Sequence, residues 1–285
     1  MSKRHCLGDV VCYPTAMLVR FLARYWPFAN GSGRLLDTFA RTADLGKGEQ
    51  VAQTTDGFPI HVFAEDWIGR HLLMSGKFDR SNIQLLLDRA EPGDTLLDIG
   101  ANIGYYSAVF LANVPNGRAV CFEPQPGVVD LLTKNMAQFE ERASVMPVGL
   151  AEQDGELRFA VNEENRGASR ISPEGNVLVK VRQASSALGD LDRVDLLKID
   201  VEGFEEAILR NAEGELARLQ PRAILVEDQT GALAPDGAIG AILTRLGYEI
   251  FGIRKQLLKT DLTPIRTRED CRYNDYLALR EREKG

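Results

Sequence analysis

Two short stretches of the 285-residue chain carry residue types whose spacing could do chemistry. The first is Asp98-Ile99-Gly100-Ala101-Asn102-Ile103-Gly104, between the apolar run Thr95–Ile99 and a helical pattern starting at Tyr105. Gly100 and Gly104 let the backbone turn tightly and approach a ligand without a Cβ. A helix starting there offers free N–H groups and a positive dipole end. Glu123 follows the last glycine by roughly 20 residues, at the end of the next apolar run, where a carboxylate can accept both hydroxyls of an adenosine ribose. The second stretch is Leu197-Lys198-Ile199-Asp200-Val201-Glu202-Gly203, with Asp200 ending another apolar run. Ligands of open α/β sheets bind outside the carboxyl ends of strands, so the two stretches should share one crevice.

The identity of the ligand can be narrowed. A dinucleotide fingerprint needs glycine at 100, 102 and 105, but the chain has Asn102 and Tyr105. No tyrosine is followed four residues later by lysine, as nicotinamide short-chain reductases require, and no Gly-Lys-Ser/Thr loop is present. Asp98, two positions before the first glycine, is placed to meet the amino group of a methionine-like tail. A ligand with adenosine at one end and an amino acid at the other is S-adenosylmethionine. Methyl transfer to a hydroxyl is an in-line displacement that needs an aligned oxygen and a proton acceptor. Asp200 is the first candidate for base or substrate orienter and Glu202 the second. Glu227 and Asp228 follow the next strand; together with Asp200 they could hold a divalent cation that lowers the hydroxyl pKa, and the sequence leaves that open. His71 sits alone on a predicted helix and reads as structural. No two prolines are adjacent, so the Asp/Asn-Pro-Pro-aromatic signature of nucleobase and amine methylases is absent and oxygen is the expected acceptor.

The elements that must position these residues divide at about residue 92. Residues 1–91 form an α+β extension: a helix over Thr15–Phe28, strands Gln50–Thr55 and Phe58–Phe63 joined by Asp56-Gly57 in an expected type I′ turn, and helices near Glu65–Met74 and Arg80–Ala90. Residues 92–285 alternate strand and helix. Strands are expected at 95–99, 119–122, 145–148, 157–161, 177–182, 194–199, 223–226, 248–253 and 276–279, with helices at 105–112, 127–139, 204–219 and 238–246. The last two strands have no helix between them and should pair antiparallel at an edge. This is the pattern of a doubly wound, mostly parallel sheet.

Composition sets the outer bounds. With 44% hydrophobic and 26% charged residues the chain is globular rather than disordered. The net charge of −7 disfavours a nucleic-acid partner. Four scattered cysteines, among them Cys6 and Cys12 near His5, build no disulfide framework or paired metal spacing. No apolar run is long enough to span a bilayer, and Asp9, Pro14 and Arg20 interrupt the stretch a signal peptide would need, so a cytoplasmic location is expected. Met17, Leu18, Phe21, Leu22, Tyr25 and Trp26 recur at helical spacing with Arg20 and Arg24 between them. Such a helix lies on a membrane surface, docks on a partner or packs on its own domain; the last is commonest and is the expectation. The tail from Arg280 to Lys284 reads as a solvated end.

The combination of motifs resembles the FkbM family of S-adenosylmethionine-dependent methyltransferases. The resemblance rests on Pro92-Gly93-Asp94, Leu97 to Ser107, Phe122-Glu123-Pro124, Lys198 to Gly203 and Ile224 to Glu227, and covers roughly Asp66 to Leu279. It implies a Rossmann-like class I fold and O-methylation of sugars, glycans or polyketide-type products. By the same resemblance Asp98, Gly100, Asn102, Gly104 and Glu123 bind the cofactor, Gly149 and Leu150 lie near the adenine, and Asp200 and Glu202 line the acceptor side. Gly76-Lys77-Phe78-Asp79 is similar to a family element that usually ends in Glu. Residues 1–60 and the loop 162–170 are where acceptor choice would be set. The competing expectations are a nicotinamide-dependent sugar reductase and a non-catalytic cofactor-binding module.

Overall fold

The computed structural model describes residues 12–28, 30–31, 33, 36, 45–162 and 169–280. His5, Cys6, most of the loop 162–170 and the tail beyond Arg280 lie outside them. The lead-in contributes helix α1 (Cys12–Arg24), the antiparallel hairpin β1 (Glu49–Gln53) and β2 (Pro59–Phe63), and helices α2 (Trp67–Ser75) and α3 (Arg80–Leu87). Asp66 caps α2 by accepting from Ile68 N–H, and Gly76 ends it in the left-handed region at φ 71°. The hairpin turn is not type I′. Only Gly57 takes positive φ (87°), and Gly57 N–H and Phe58 close the loop back on Thr54, whose hydroxyl donates to Phe58 O at 2.7 Å. One left-handed residue suffices once the Thr54 side chain and backbone together tie the ends.

The central sheet is built from β3 (Thr95–Ile99), β4 (Arg118–Phe122), β5 (Ala143–Met146), β10 (Leu196–Ile199), β11 (Ala223–Glu227), β12 (Tyr248–Lys255), β13 (Thr260–Pro264) and β14 (Asp275–Arg280). Its order is β13-β12-β14-β11-β10-β3-β4-β5. The strands from β11 to β5 are parallel, and β14 runs antiparallel to both its neighbours. The expected antiparallel pairing of the last strands is present, but β14 slots inside the sheet, and β13, which the apolar pattern does not reveal, forms that edge. A smaller sheet of β6 (Gly149–Ala151), β7 (Gly155–Ala160), β8 (Arg170–Ile171) and β9 (Val177–Gln183) follows β5. Helices α4 (Tyr105–Asn113), α5 (Val128–Ala137), α6 (Ala184–Gly189), α7 (Glu205–Asn211), α8 (Glu213–Leu219) and α9 (Ala238–Arg245) complete the fold. The helix expected over 204–219 is two helices: Asn211 turns its side chain to the Ser185 N–H (2.8 Å) and Glu152 O (3.3 Å), and the axis breaks at Ala212.

This is a doubly wound α/β sheet of the Rossmann-like class I kind. The chain runs outward through β3, β4 and β5 on one side, then returns past the smaller sheet to β10 and β11 on the other, so the strand order reverses between β3 and β10 and opens a crevice there. β3 and β10 are almost wholly buried, as central parallel strands must be. One core joins the lead-in to the sheet: Ile60, Val62, Leu72 and Ile83 pack with Leu96, Ala108, Val109 and Leu132. The fully buried Asn135 on α5 reinforces the join, accepting from His61 N–H (2.6 Å) and donating to His61 O (2.9 Å) and Ile103 O (2.8 Å). The hairpin is thereby pinned to the glycine loop. α1 buries Val19 and Ala23 in a small core with Leu36 and Met74, while Leu18, Phe21, Leu22 and Tyr25 are exposed. The face that packs is therefore the small-residue one and not the aromatic stripe. No helix among the described residues is long and apolar enough to cross a membrane.

Candidate active site

The crevice begins where β3 ends. Gly100 takes φ 76°, and a Cβ there would lie 1.9 Å from the carbonyl oxygen of Asp200. Only glycine allows the first loop to rest on the second, which brings the two motifs into one site. Asn102 also takes positive φ (51°), and its Oδ1 accepts from Ile103 N–H at 2.7 Å, a local bond that suits asparagine to the left-handed region. Its own N–H donates to Glu123 Oε2 at 2.9 Å, and Gln125 N–H donates to Glu123 Oε1 at 2.9 Å. Burial pushes the Glu123 carboxyl up to about 7; the two backbone donors and Lys198 oppose that rise.

A cleft of about 900 Å³, counting its open mouth, runs over this loop. Its wall includes Gly100, Asn102, Glu123, Gly149 and Leu150 at one end and Asp200 and Glu202 at the other. Seven of the nine sequence-derived candidates thus meet in one place, and Asp98 and Gly104 do not. The Asp98 carboxylate is fully buried beneath the loop, accepting from Ser107 Oγ at 2.7 Å and pairing with Lys198 Nζ at 3.3 Å. It faces the protein interior and not a ligand tail. Gly104 caps α4 at φ 82°, and a Cβ there would press on Leu132 and Met136, so its role is packing.

Lys198 is the residue sequence reasoning passes over. Its ammonium donates to Gly100 O at 2.6 Å, stands 3.3 Å from Asp98 and 3.4 Å from Asp200, and lies 5.3 Å from the centre of the Tyr106 ring. Burial alone would push this ammonium down, but the Asp98 and Asp200 carboxylates outweigh it and the net direction is up. A signal for it exists: a lysine inside a four-residue strand buried along its whole length needs partners. Glu202 takes positive φ (53°) and lines the cleft; burial, then Asp200 and Glu205, push its carboxyl up. Glu205 holds that loop by accepting from the N–H groups of Val201 and Gly203.

A second chamber adjoins the cleft and shares Tyr106, Lys198, Asp200 and Glu202 with it. Asp79, Glu227 and Asp275 add three more carboxylates to its wall. Burial, followed by the nearby Asp200 and Asp275, raises the Glu227 carboxyl to about 7. Asp79 sits in the left-handed region (φ 39°), accepting from the Tyr106 hydroxyl, Asn82 and Lys255. Asp228 turns away to Thr230 and the Leu233 N–H, so it does not join Asp200 and Glu227. Among the described residues no three His, Cys, Asp or Glu side chains group closely enough to hold a metal ion.

The donor set of the cleft fits an adenosine-bearing cofactor. Each Glu123 oxygen has one protein donor and a lone pair to spare for a ribose hydroxyl. Gln125 Nε2 is buried in the cleft wall with no hydrogen-bond partner among the described residues, a donor awaiting an acceptor. Gly149 lines the same wall, where a Cβ would lie 3.3 Å from the side chains of Pro124 and Val181.

Comparison with known proteins bears on the chemistry. Residues 98–250, more than half the chain, match the family model of the methyltransferase FkbM domain. The hexuronic acid methyltransferase AglP of Haloferax volcanii is 26% identical over 243 residues, covering 83% of this chain and 93% of that protein. The methyltransferase sdnD of Sordaria araneosa is 26% identical over 192 residues, covering 54% and 73%. A solved TehB-like methyltransferase from Corynebacterium glutamicum superposes with a TM-score of 0.43 at 14% identity, over 72% of this chain and 88% of that one, a likeness too loose to argue from.

Proposed function

The chain belongs to the FkbM methyltransferase family and is an S-adenosylmethionine-dependent methyltransferase; from that premise we propose that it methylates a hydroxyl of a saccharide, glycan or glycosylated natural product. The reductase and non-catalytic alternatives fall with the family. The observation that supports the acceptor class is the second chamber: five carboxylates, Asn82 and Lys198 beside the Trp67, Phe78 and Tyr106 rings give a wall of hydrogen-bonding groups and aromatic surface suited to a polyhydroxylated ring. The name of the Haloferax relative, a sugar-acid methyltransferase, points the same way.

In this reading Glu123 takes the ribose hydroxyls, Gln125 donates beside them, and Gly149 and Leu150 form the adenine-side wall. Gly100 and Asn102 shape the loop beneath. The cofactor, when bound, supplies a methyl group activated by its sulfonium. Asp200, at the passage between the two chambers, receives the hydroxyl proton as the acceptor oxygen takes the methyl group. Lys198 holds Asp200 from beneath and ties it to Asp98, so Asp98 acts as a positioning residue through Lys198. Glu202 orients the acceptor from the same loop.

The test is calorimetric titration of S-adenosylhomocysteine and, separately, NAD, followed by a glycan acceptor screen with wild type and Asp200→Asn. The reading expects S-adenosylhomocysteine alone to bind and Asp200→Asn to lose about 10²- to 10⁴-fold in turnover while binding S-adenosylhomocysteine normally. Unchanged turnover in Asp200→Asn would remove Asp200 from the reaction.

A further inference from the structure

A third cavity continues outward from the second, and its charge is of the opposite kind. Trp67, Phe78 and Asp79 line both. Beyond them the wall carries Lys77, Arg80 and Lys255, and Asp79 is its one carboxylate among the described residues. Two of these cations are already matched: Arg80 pairs with Asp56 at 2.9 Å, and Lys255 with Asp79 and Asp275 at 2.8 Å each. Lys77 is different. Its ammonium has no ion pair or hydrogen bond among the described residues, although the side chain is half-buried. Burial, and then the neighbouring Arg80, push its pKa down, the mark of a cation held without a counter-charge. Beside it the rings of Trp67, His71 and Phe78 form a wall, with successive centroids 4.7 Å and 5.6 Å apart. The rings are tilted to one another, by 49° and then 86°, and the apolar rings of Trp67 and Phe78 are of the kind that suits the C–H face of a sugar.

We propose that the outer cavity is an anion subsite in which Lys77 binds a carboxylate or phosphate carried by the acceptor, one sugar unit away from the hydroxyl that is methylated. The proposal rests on the saccharide reading given above. In the middle chamber Lys198 offsets Asp200, and Lys255 offsets one charge of the Asp79–Asp275 pair; with Glu202 and Glu227 the carboxylates stay in excess, so this chamber disfavours an anion and takes a neutral unit. The outer cavity attracts one. Trp67 and Phe78, at the boundary, stack on the sugar that links the two. The acceptor is therefore an acidic oligosaccharide or glycoconjugate whose charge lies outside the methylation chamber.

The experiment uses the full chain saturated with S-adenosylhomocysteine. Oligosaccharides containing hexuronic acid are titrated against their carboxyl-reduced forms, and a phosphorylated neutral oligosaccharide against its dephosphorylated form. The expected result is that an anionic member binds about five- to tenfold tighter than its neutral partner, with the preference shrinking in high salt. Lys77→Met should erase the preference without changing S-adenosylhomocysteine affinity, and Lys77→Arg should retain most of it. The pair with the larger gap identifies carboxylate or phosphate as the source. A neutral member binding equally well, or a preference that survives in Lys77→Met, overturns the subsite and leaves the saccharide reading standing. Binding of no sugar by a protein that binds S-adenosylhomocysteine normally overturns both.

Discussion

Replacing Lys198 with methionine tests the central claim about how the site is held. Methionine nearly keeps the length and apolar stem of the side chain and deletes only the ammonium. Three contacts go with it: the bond to Gly100 O at 2.6 Å and the pairings with Asp98 and Asp200. Asp200 is partly solvated and loses little, since its side chain is 37% exposed. Asp98 is 0% exposed and is left as a buried carboxylate without its cation. Breaking one side of a buried pair costs about 3–5 kcal/mol. A chain of this size has an unfolding entropy of about 0.6 kcal/mol/K, so the melting temperature should fall by roughly 5–8 °C. The assay is thermal and urea unfolding of wild type, Lys198→Met, Asp98→Asn and the double variant. The asparagine introduced by Asp98→Asn can still accept from Ser107 Oγ while carrying no charge, so the double variant should recover about half of the loss. A fall under about 2 °C, or a double variant no more stable than Lys198→Met, would refute the reasoning that an interior ion pair holds the loop.

Other outcomes follow from the same geometry. Gly100→Ala must fit a Cβ 1.9 Å from the Asp200 carbonyl oxygen at φ 76°, so it should lose about 2 kcal/mol or more and bind S-adenosylhomocysteine at least about tenfold more weakly by calorimetry. Glu123→Gln turns an amide N–H₂ toward one of two backbone N–H donors, and S-adenosylhomocysteine affinity should drop by about 10- to 100-fold. The Glu123 carboxyl is raised to about 7, above its unfolded value of about 4.5, so its contribution to stability is present below about 4.5 and is lost as pH rises through 7. Ribose hydroxyls favour the ionised form, so the rise in melting temperature caused by S-adenosylhomocysteine should be larger at pH 8 than at pH 6. An equal rise would argue against Glu123 as the ribose acceptor.

The features legible in the sequence are those with a local cause. Glycines before a helix, apolar runs in central strands and the acids Glu123, Asp200 and Glu227 at the ends of β4, β10 and β11 mark the crevice directly, and the strand Thr95–Ile99 appears with its expected bounds. The hidden features depend on partners distant in the chain. Asp98 looks ligand-facing in the sequence because its place in the motif says nothing of Ser107 and Lys198, which close over it. β13 escapes the pattern because it is an edge strand, half-buried throughout and without apolar alternation. Asp79 and Asp275 join the second chamber from opposite ends of the chain, a proximity carried only by the sheet and by the shared Lys255.

The position of β14 has a consequence for how the chain is made. Residues 275–280 occupy a slot between β11 and β12, strands finished tens of residues earlier. Until residue 280 has cleared the ribosome, both of those strands present bare hydrogen-bonding edges to solvent or to a chaperone, the condition under which chains add to one another. The crevice beside β3 can be shaped earlier in synthesis, whereas closure of the sheet must wait for residues 275–280. Nascent chains stalled before residue 275 should therefore be the ones that chaperones hold and proteases find.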